Sequence, residues 1–190
     1  LSLSNLSDDR MRGAKTGDWR REQGQRELAN NSVCYTEKPD LESFMKEWRN
    51  LYRSKSGERG IFNRKACSAL IPERRKELGE YTWLCNPCSE VVLRPFQACN
   101  LTEVIARPND DLKELKRKVR MATILGTLQS TLTNFRFLRS IYKKNCEEER
   151  LLGVSITGIM DHPVLSCMTD SERWLKEMKE VAIETNKEWA

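Results

Sequence analysis

Apolar and polar residues alternate through Leu1-Ser2-Leu3-Ser4-Asn5-Leu6, and Ser32-Val33-Cys34-Tyr35-Thr36 is a short run of β-favouring residues. Both patterns predict strands. Between them residues 8–31 are polar and charged, with Gly13, Gly17 and Gly24, which fits a short helix or two joined by loops. Pro39 and Asp40 open an amphipathic helix over residues 41–53, where Phe44, Trp48, Leu51 and Tyr52 recur at helical spacing and are expected to face a core. Residues 54–82 carry Ser56-Gly57-Glu58-Arg59-Gly60, Pro72 and Gly79 and read as loops around short elements. Residues 90–93 and 101–106, rich in Val, Leu and Ile, are strand-like. Asp110 or Asp111 caps a long helix from residue 112 to about 134, whose apolar face is Leu112, Leu115, Val119, Ala122 and Leu125. Residues 151–157 predict a buried strand ending at Gly158. Thr169-Asp170-Ser171-Glu172 fits a capping box, followed by a final helix lined by Trp174, Leu175, Met178, Val181 and Ala182. Strands alternating with helices imply βα units, parallel pairing and an α/β fold.

A chain of 190 residues has the size of one domain or of a large piece of one. Hydrophobic residues are 38%, below the usual value of about 45–50%, and charged residues are 32%, above the common value of about 25%. That balance implies a soluble domain with a well-charged surface, or a piece some of whose faces a missing partner would cover. No apolar run approaches the roughly 18 residues needed to span a membrane. The N-terminus has no initiator Met, basic region or apolar region of a signal peptide, so the chain is expected to begin inside a larger cytoplasmic protein. The net charge of +5 comes from 33 basic and 28 acidic residues, interleaved through 10–26 and 113–120 without a clean basic stripe. That mixed charge reads as an ordinary solvated surface, and the aromatics fall on amphipathic helix faces, which favours core packing over a basic nucleic-acid-binding module.

Seven cysteines, an odd number without a secretory signal, argue against a disulfide scaffold. Cys85, Cys88 and Cys99 lie within fifteen residues of one another, in Leu84-Cys85-Asn86-Pro87-Cys88-Ser89-Glu90 and Phe96-Gln97-Ala98-Cys99-Asn100. Three chemistries compete there. A C-x-x-C thiol-disulfide pair normally opens a helix that stabilises a thiolate, but Val91-Val92-Leu93 and Pro95 follow instead. A zinc module needs four ligands, commonly as two knuckles, and one knuckle, Cys99 and a distant His162 do not supply them locally. In the third reading, Asn86, Cys88 and Glu90 sit at i, i+2 and i+4 of an extended stretch and present an amide, a thiol and a carboxylate to one small ligand. Cys85 then points to the other side.

That third constellation resembles the finger-loop motif of ribonucleotide reductase catalytic subunits. Similar blocks flank it in order: Ala29-Asn30-Asn31-Ser32-Val33, Ser54-Lys55-Ser56-Gly57-Glu58-Arg59-Gly60-Ile61-Phe62, Leu93-Arg94-Pro95, Cys99-Asn100-Leu101-Thr102-Glu103-Val104, residues 122–131 and residues 152–158. The resemblance runs from residue 1 to about Asp161, and Asn86-Pro87-Cys88 with residues 130–135 is most similar to the adenosylcobalamin-dependent class.

The resemblance implies one partial catalytic domain over residues 1–190, belonging to a ten-stranded α/β barrel with a central finger loop at about residues 85–99. It implies a thiyl radical at Cys88 that abstracts the ribose 3′ hydrogen, and Glu90 as the base for the 3′-hydroxyl. Asn86 would hydrogen-bond the ribose, and Cys99 would be one of two thiols that reduce the 2′ carbon. The implied cofactor is adenosylcobalamin, with a di-iron or dimanganese partner subunit as the alternative radical source. The implied partners are a ribonucleotide substrate, a thioredoxin-like external dithiol, and effector nucleotides bound by regions outside this chain. No membrane and no direct nucleic acid is expected. The second reducing thiol and the later half-barrel are expected beyond the chain, so the isolated segment should be inactive. Cys34, Cys67, Cys85, Cys146 and Cys167 match no catalytic position. The glycines of Gly153-Val154-Ser155-Ile156-Thr157-Gly158 either bring backbone close to a phosphate or let a strand end pack tightly. His162, before Pro163, is expected in a turn without a chemical role.

Overall fold

The alternating start of the chain forms β1 (Ser2–Ser4), which pairs in parallel with β2 (Asn31–Tyr35), and β2 pairs in parallel with β3 (Gly60–Asn63). The computed structural model describes residues 2–79 and 82–190. Two units divide the chain, Leu1–Pro95 and Phe96–Ala190. In the first, α1 (Asp9–Arg12) and α2 (Trp19–Glu22) connect β1 to β2, and α3 (Leu41–Ser54) connects β2 to β3. All five residues of the central β2 are buried, as a parallel strand covered on both faces requires. Asp8 and Asp40 cap α1 and α3 by accepting the Met11 and Ser43 amide protons at 2.9 and 2.8 Å. Two short helices that the sequence leaves inside loops follow β3: α4 (Arg64–Leu70), capped by Asn63, and α5 (Glu73–Lys76). The unit ends on an antiparallel hairpin of β4 (Leu84–Cys85) and β5 (Val92–Leu93), so the strand expected over 90–93 is shorter and not parallel.

The aromatic stripe of α3 is only partly covered, with Phe44 and Leu51 half-buried and its other two residues exposed. Trp48 is 53% and Tyr52 80% exposed, and Phe44 stacks on Trp48 with ring centroids 6.3 Å apart. The residue that α3 buries is Glu47, whose carboxylate accepts from Arg59 Nε and Nη2 at 2.6 and 2.8 Å and from Arg12 Nε at 3.0 Å. Arg59, fully buried, also donates from Nη1 to Ser4 Oγ and the Asn5 carbonyl, both at 2.8 Å. The helix therefore turns its charge inward because two guanidiniums wait there, and the indole and phenol go out. Burial alone would raise the Glu47 carboxyl, but the hydrogen bonds and charges of Arg59 and Arg12 hold it below the ordinary carboxylate range.

In the second unit β6 (Asn100–Ile105) pairs in parallel with β7 (Leu152–Thr157), and α6 (Leu112–Gln129) and α7 (Ser140–Glu149) lie between them in sequence. The closing helix α8 (Met168–Trp189) packs on α6. The core joins Val104 of β6, Ala106 just after it, Leu115, Val119 and Ala122 of α6, Leu165, and Met178 of α8. Asp111 caps α6, accepting the Glu114 amide proton at 2.7 Å. Leu125, expected on the inner face, is 59% exposed, and Thr123, Gly126 and Thr127 are buried instead. Their hydroxyls are satisfied within the helix, Thr123 donating to the Val119 carbonyl at 2.7 Å and Thr127 to the Thr123 carbonyl at 2.8 Å. A Cβ on Gly126 would stand 2.2 Å from Leu152 Cδ1, so the absent side chain is what lets α6 approach β7.

The helix expected to reach about residue 134 stops at Gln129, where residues 130–139 take tight turns bonded from Thr131 to Leu128 and from Leu132 to Gln129. α7 was not legible, because the face it buries is Asn145, Cys146 and Glu149. α8 starts one residue before the expected capping box: Cys167 stands at the N-cap and its carbonyl accepts from Ser171.

His162 is buried to 1% exposure. Its Nδ1 accepts from the amides of Val164 and Leu165, both at 3.2 Å, and its Nε2 lies 2.9 Å from the Asp110 carbonyl oxygen. A carbonyl can only accept, so the proton sits on Nε2. The ring also meets Trp174 edge-on at 5.4 Å. The expected turn is therefore also a tie between the loop before α6 and the loop before α8.

Among the described residues the strands form three small sheets of three, two and two strands and no closed barrel, in a mixed α/β chain. No described helix is long and apolar enough to cross a membrane.

Candidate functional site

Residues 86–91 close the β4–β5 hairpin, in which Leu84 pairs with Leu93 and Cys85 with Val92. The expected extended stretch is absent. The Ser89 amide donates to the Asn86 carbonyl at 3.0 Å, and Ser89 takes a left-handed φ of 65°. Six residues between two very short strands must reverse direction, and a turn does so where an i, i+2, i+4 ladder would not. Asn86 organises the reversal. Its Oδ1 accepts the Val91 amide proton at 3.0 Å, its own amide donates to the Val91 carbonyl at 3.3 Å, and its Nδ2 donates to Glu90 Oε1. The amide and the carboxylate thus meet across the base of the turn, with Cys88 exposed at its tip.

Cys85 goes the opposite way. It is buried, with Sγ 3.5 Å from Ser89 Oγ, and burial pushes its thiol above the ordinary range. One sulfur of the C-x-x-C spacing is therefore sequestered and the other presented. No group of three or more His, Cys, Asp or Glu side chains among the described residues is placed to hold a metal ion.

Cys99 belongs to the second unit, just before β6, and is half-buried. It lines a cavity of about 200 Å³ together with Asn100, Ser130, Thr133, Cys146 and Arg150. Arg150, in a left-handed conformation with φ 43°, donates to the Ser130 carbonyl at 3.1 Å. Cys146 Sγ accepts from the Ala98 amide at 3.4 Å, so this thiol sits beside the backbone that leads into Cys99. Sequence reasoning gave Cys146 no place at this cavity, and no motif marks it.

The glycine-bearing strand end resolves towards packing. A Cβ on Gly158, where φ is 79°, would fall 2.4 Å from the Ala106 carbonyl oxygen, and one on Gly153 would fall 2.6 Å from Leu101 Cδ2. Cys167, exposed at the head of α8, has its thiol drawn below the ordinary range by hydrogen bonds from the Thr169 and Asp170 amides.

What the hairpin can do follows from its groups: an exposed thiol can take part in one- or two-electron chemistry, and a carboxylate held by an amide can accept a proton at a fixed place. Comparison with protein-family models, curated proteins and solved structures returned no match for this chain.

Proposed function

We propose that this chain is a segment of the catalytic subunit of a ribonucleotide reductase, reducing ribonucleotides to deoxyribonucleotides for DNA synthesis in the cytoplasm. The observation that carries the reading is the β4–β5 hairpin, which exposes Cys88 at its tip above the linked pair Asn86 and Glu90. The parallel βα connections of both units also support it, as pieces from which a ten-stranded barrel with a central finger loop would be assembled.

Cys88 carries the radical, and its exposure leaves the sulfur open to an external source. Adenosylcobalamin supplies that radical when bound, or a partner subunit's di-iron or dimanganese centre does; no residue of this chain is assigned to holding either. As a thiyl, Cys88 abstracts the ribose 3′ hydrogen. Glu90 accepts the 3′-hydroxyl proton, and Asn86, already bonded to Glu90, fixes the carboxylate and orients the ribose. The 2′-hydroxyl leaves as water, Cys99 and a second thiol outside the chain supply the two electrons for the 2′ carbon and end as a disulfide, Cys88 returns its hydrogen to the 3′ carbon, and a thioredoxin-like dithiol reopens the disulfide. Such chemistry requires the substrate to be held in one geometry and stray reductants to be kept out, which a barrel interior provides. Effector nucleotides act through other parts of the subunit.

The test uses the complete polypeptide with 3′-tritiated ribonucleoside di- and triphosphates, adenosylcobalamin and a dithiol. Tritium release and deoxynucleotide formation are both expected. Cys88→Ser should lose both, and Cys99→Ser should release tritium without completing reduction. Full turnover by Cys88→Ser would overturn the reading.

A further inference from the structure

With Glu47 turned inward, α3 is left with an outer face made of two rows. Leu41, Met45, Trp48 and Tyr52 follow one another at steps of four, three and four residues, the spacing by which one helix meets another along a seam. Leu41 is 76% and Met45 44% exposed, so they continue the row of the exposed indole and phenol. Phe44 and Leu51, both half-buried, border this seam on the side that leans into the fold. On its other side Lys46, Arg49 and Arg53 form the second row, preceded by Glu42. All three cations are exposed, and their side chains make no ion pair or hydrogen bond among the described residues. Beside them opens a groove of about 670 Å³, lined also by Arg12 and Asn50.

The two rows together select the occupant. A single strand of nucleic acid would stack bases on Trp48 and Tyr52, but Leu41 and Met45 extend the same row and offer a base no π face. A helix that lies in a membrane interface sets its apolar face against a polar face rich in cations. Here the cations border the seam on one side only, and on the other it runs into half-buried apolar residues. A second copy of this chain would bring the same three cations to the seam and meet like charge. An amphipathic helix with an apolar row and a row of Asp or Glu beside it satisfies both rows at once. α3 is ordered in advance, because Asp40 caps it and Arg59 clamps Glu47 from inside, so binding has only the partner left to order.

We propose that the outer face of α3 is a docking surface for an acidic amphipathic helix. The partner lays its apolar row on Leu41, Met45, Trp48 and Tyr52, and its carboxylates reach Lys46, Arg49 and Arg53. The 14 residues of α3 span about 21 Å, which matches about two heptads of the partner. The inference stands on this face alone and does not depend on the reductase reading.

The experiment titrates the 190-residue chain into a fluorescently labelled synthetic peptide of about three heptads, with Leu at both seam positions and Glu at the positions that flank them. Repulsion between the Glu residues keeps the peptide from pairing with itself. Anisotropy should show one-to-one binding that weakens as salt is added, and hydrogen exchange should slow over residues 41–54. A peptide with Lys in place of Glu should bind at least about tenfold more weakly, and so should the double variants Arg49→Glu with Arg53→Glu and Met45→Ser with Tyr52→Ser. The Lys peptide decides the question on the unaltered chain even where a variant folds poorly. No binding, equal affinity for the Lys peptide, slowed exchange centred outside α3, or unchanged affinity in the Arg49→Glu, Arg53→Glu chain would each overturn the proposal. So would tighter binding to oligothymidine or to phosphatidylserine vesicles than to the Glu peptide, or a dimer of the chain that Tyr52→Ser dissolves.

Discussion

The two units solve the same problem, holding helices against a parallel sheet, with opposite chemistry. The second unit uses apolar burial, in which Val104, Leu115, Val119, Leu165 and Met178 form one cluster between sheet and helices. The first places a carboxylate at the equivalent contact. Glu47 of α3 meets Arg59 and Arg12, and Arg59 reaches on to Ser4 and Asn5. Apolar packing degrades gradually when trimmed, whereas a buried ion network fails sharply when one member is removed, because the remaining charges lose their compensation.

Breaking that contrast at its strongest point should give the largest effect. Glu47→Ala takes the carboxylate away from the fully buried Arg59, while Arg12 keeps its ion pair with Asp9, and should cost the first unit about 3–5 kcal/mol. Hydrogen exchange resolved along the sequence would detect it as lost protection in β1, β2 and α3 with little change in α6 and α8. The same network sets a pH dependence. Glu47 titrates below its ordinary value of 4.5 in the fold, so its stabilisation is complete above that value and is lost as pH falls through the folded value. Acid should therefore release protection in the first unit, and Glu47→Gln should flatten that part of the response.

Leu115→Ala attacks the other kind of core. The side chain is fully buried, and its loss should cost about 3 kcal/mol, read as a lower denaturation midpoint for the second unit. Gly126→Ala tests closeness instead of volume: its methyl would collide with Leu152, for a cost of about 1–3 kcal/mol unless α6 shifts. Tyr52→Ser should change stability by less than about 0.5 kcal/mol, since the ring is 80% exposed. A loss of several kcal/mol there would mean that the aromatic stripe of α3 is a core face after all, and the comparison between the units would collapse.

The contrast also explains what the sequence could reveal. α6 and α8 were legible because Leu115, Val119, Ala122, Trp174, Met178 and Val181 recur at the helical period and meet a sheet. α3 has the same periodicity and misleads, since only the distant Arg12 and Arg59 decide which face turns in. α7 was missed because Asn145 and Glu149 carry its inner face, with Asn145 donating to the Phe96 carbonyl at 3.2 Å. At the hairpin the structure joins Asn86 to Glu90 and leaves Cys88 exposed and Cys85 buried, but not through the extended stretch that the spacing suggests. The turn was not legible: it depends on a left-handed serine, a conformation that the sequence marks only when glycine or asparagine holds it.

The chain has a single histidine, and its ring is committed on both sides, with Nδ1 taken by two amides and Nε2 by the Asp110 carbonyl. Imidazole is the side chain that most readily relays protons near neutral pH. Here it is spent on joining two loops, so the ring is not open to that use. How well a carboxylate serves as a fixed proton acceptor depends on how firmly it is held, and in this chain the Asn86 side-chain amide holds one oxygen of Glu90 in place.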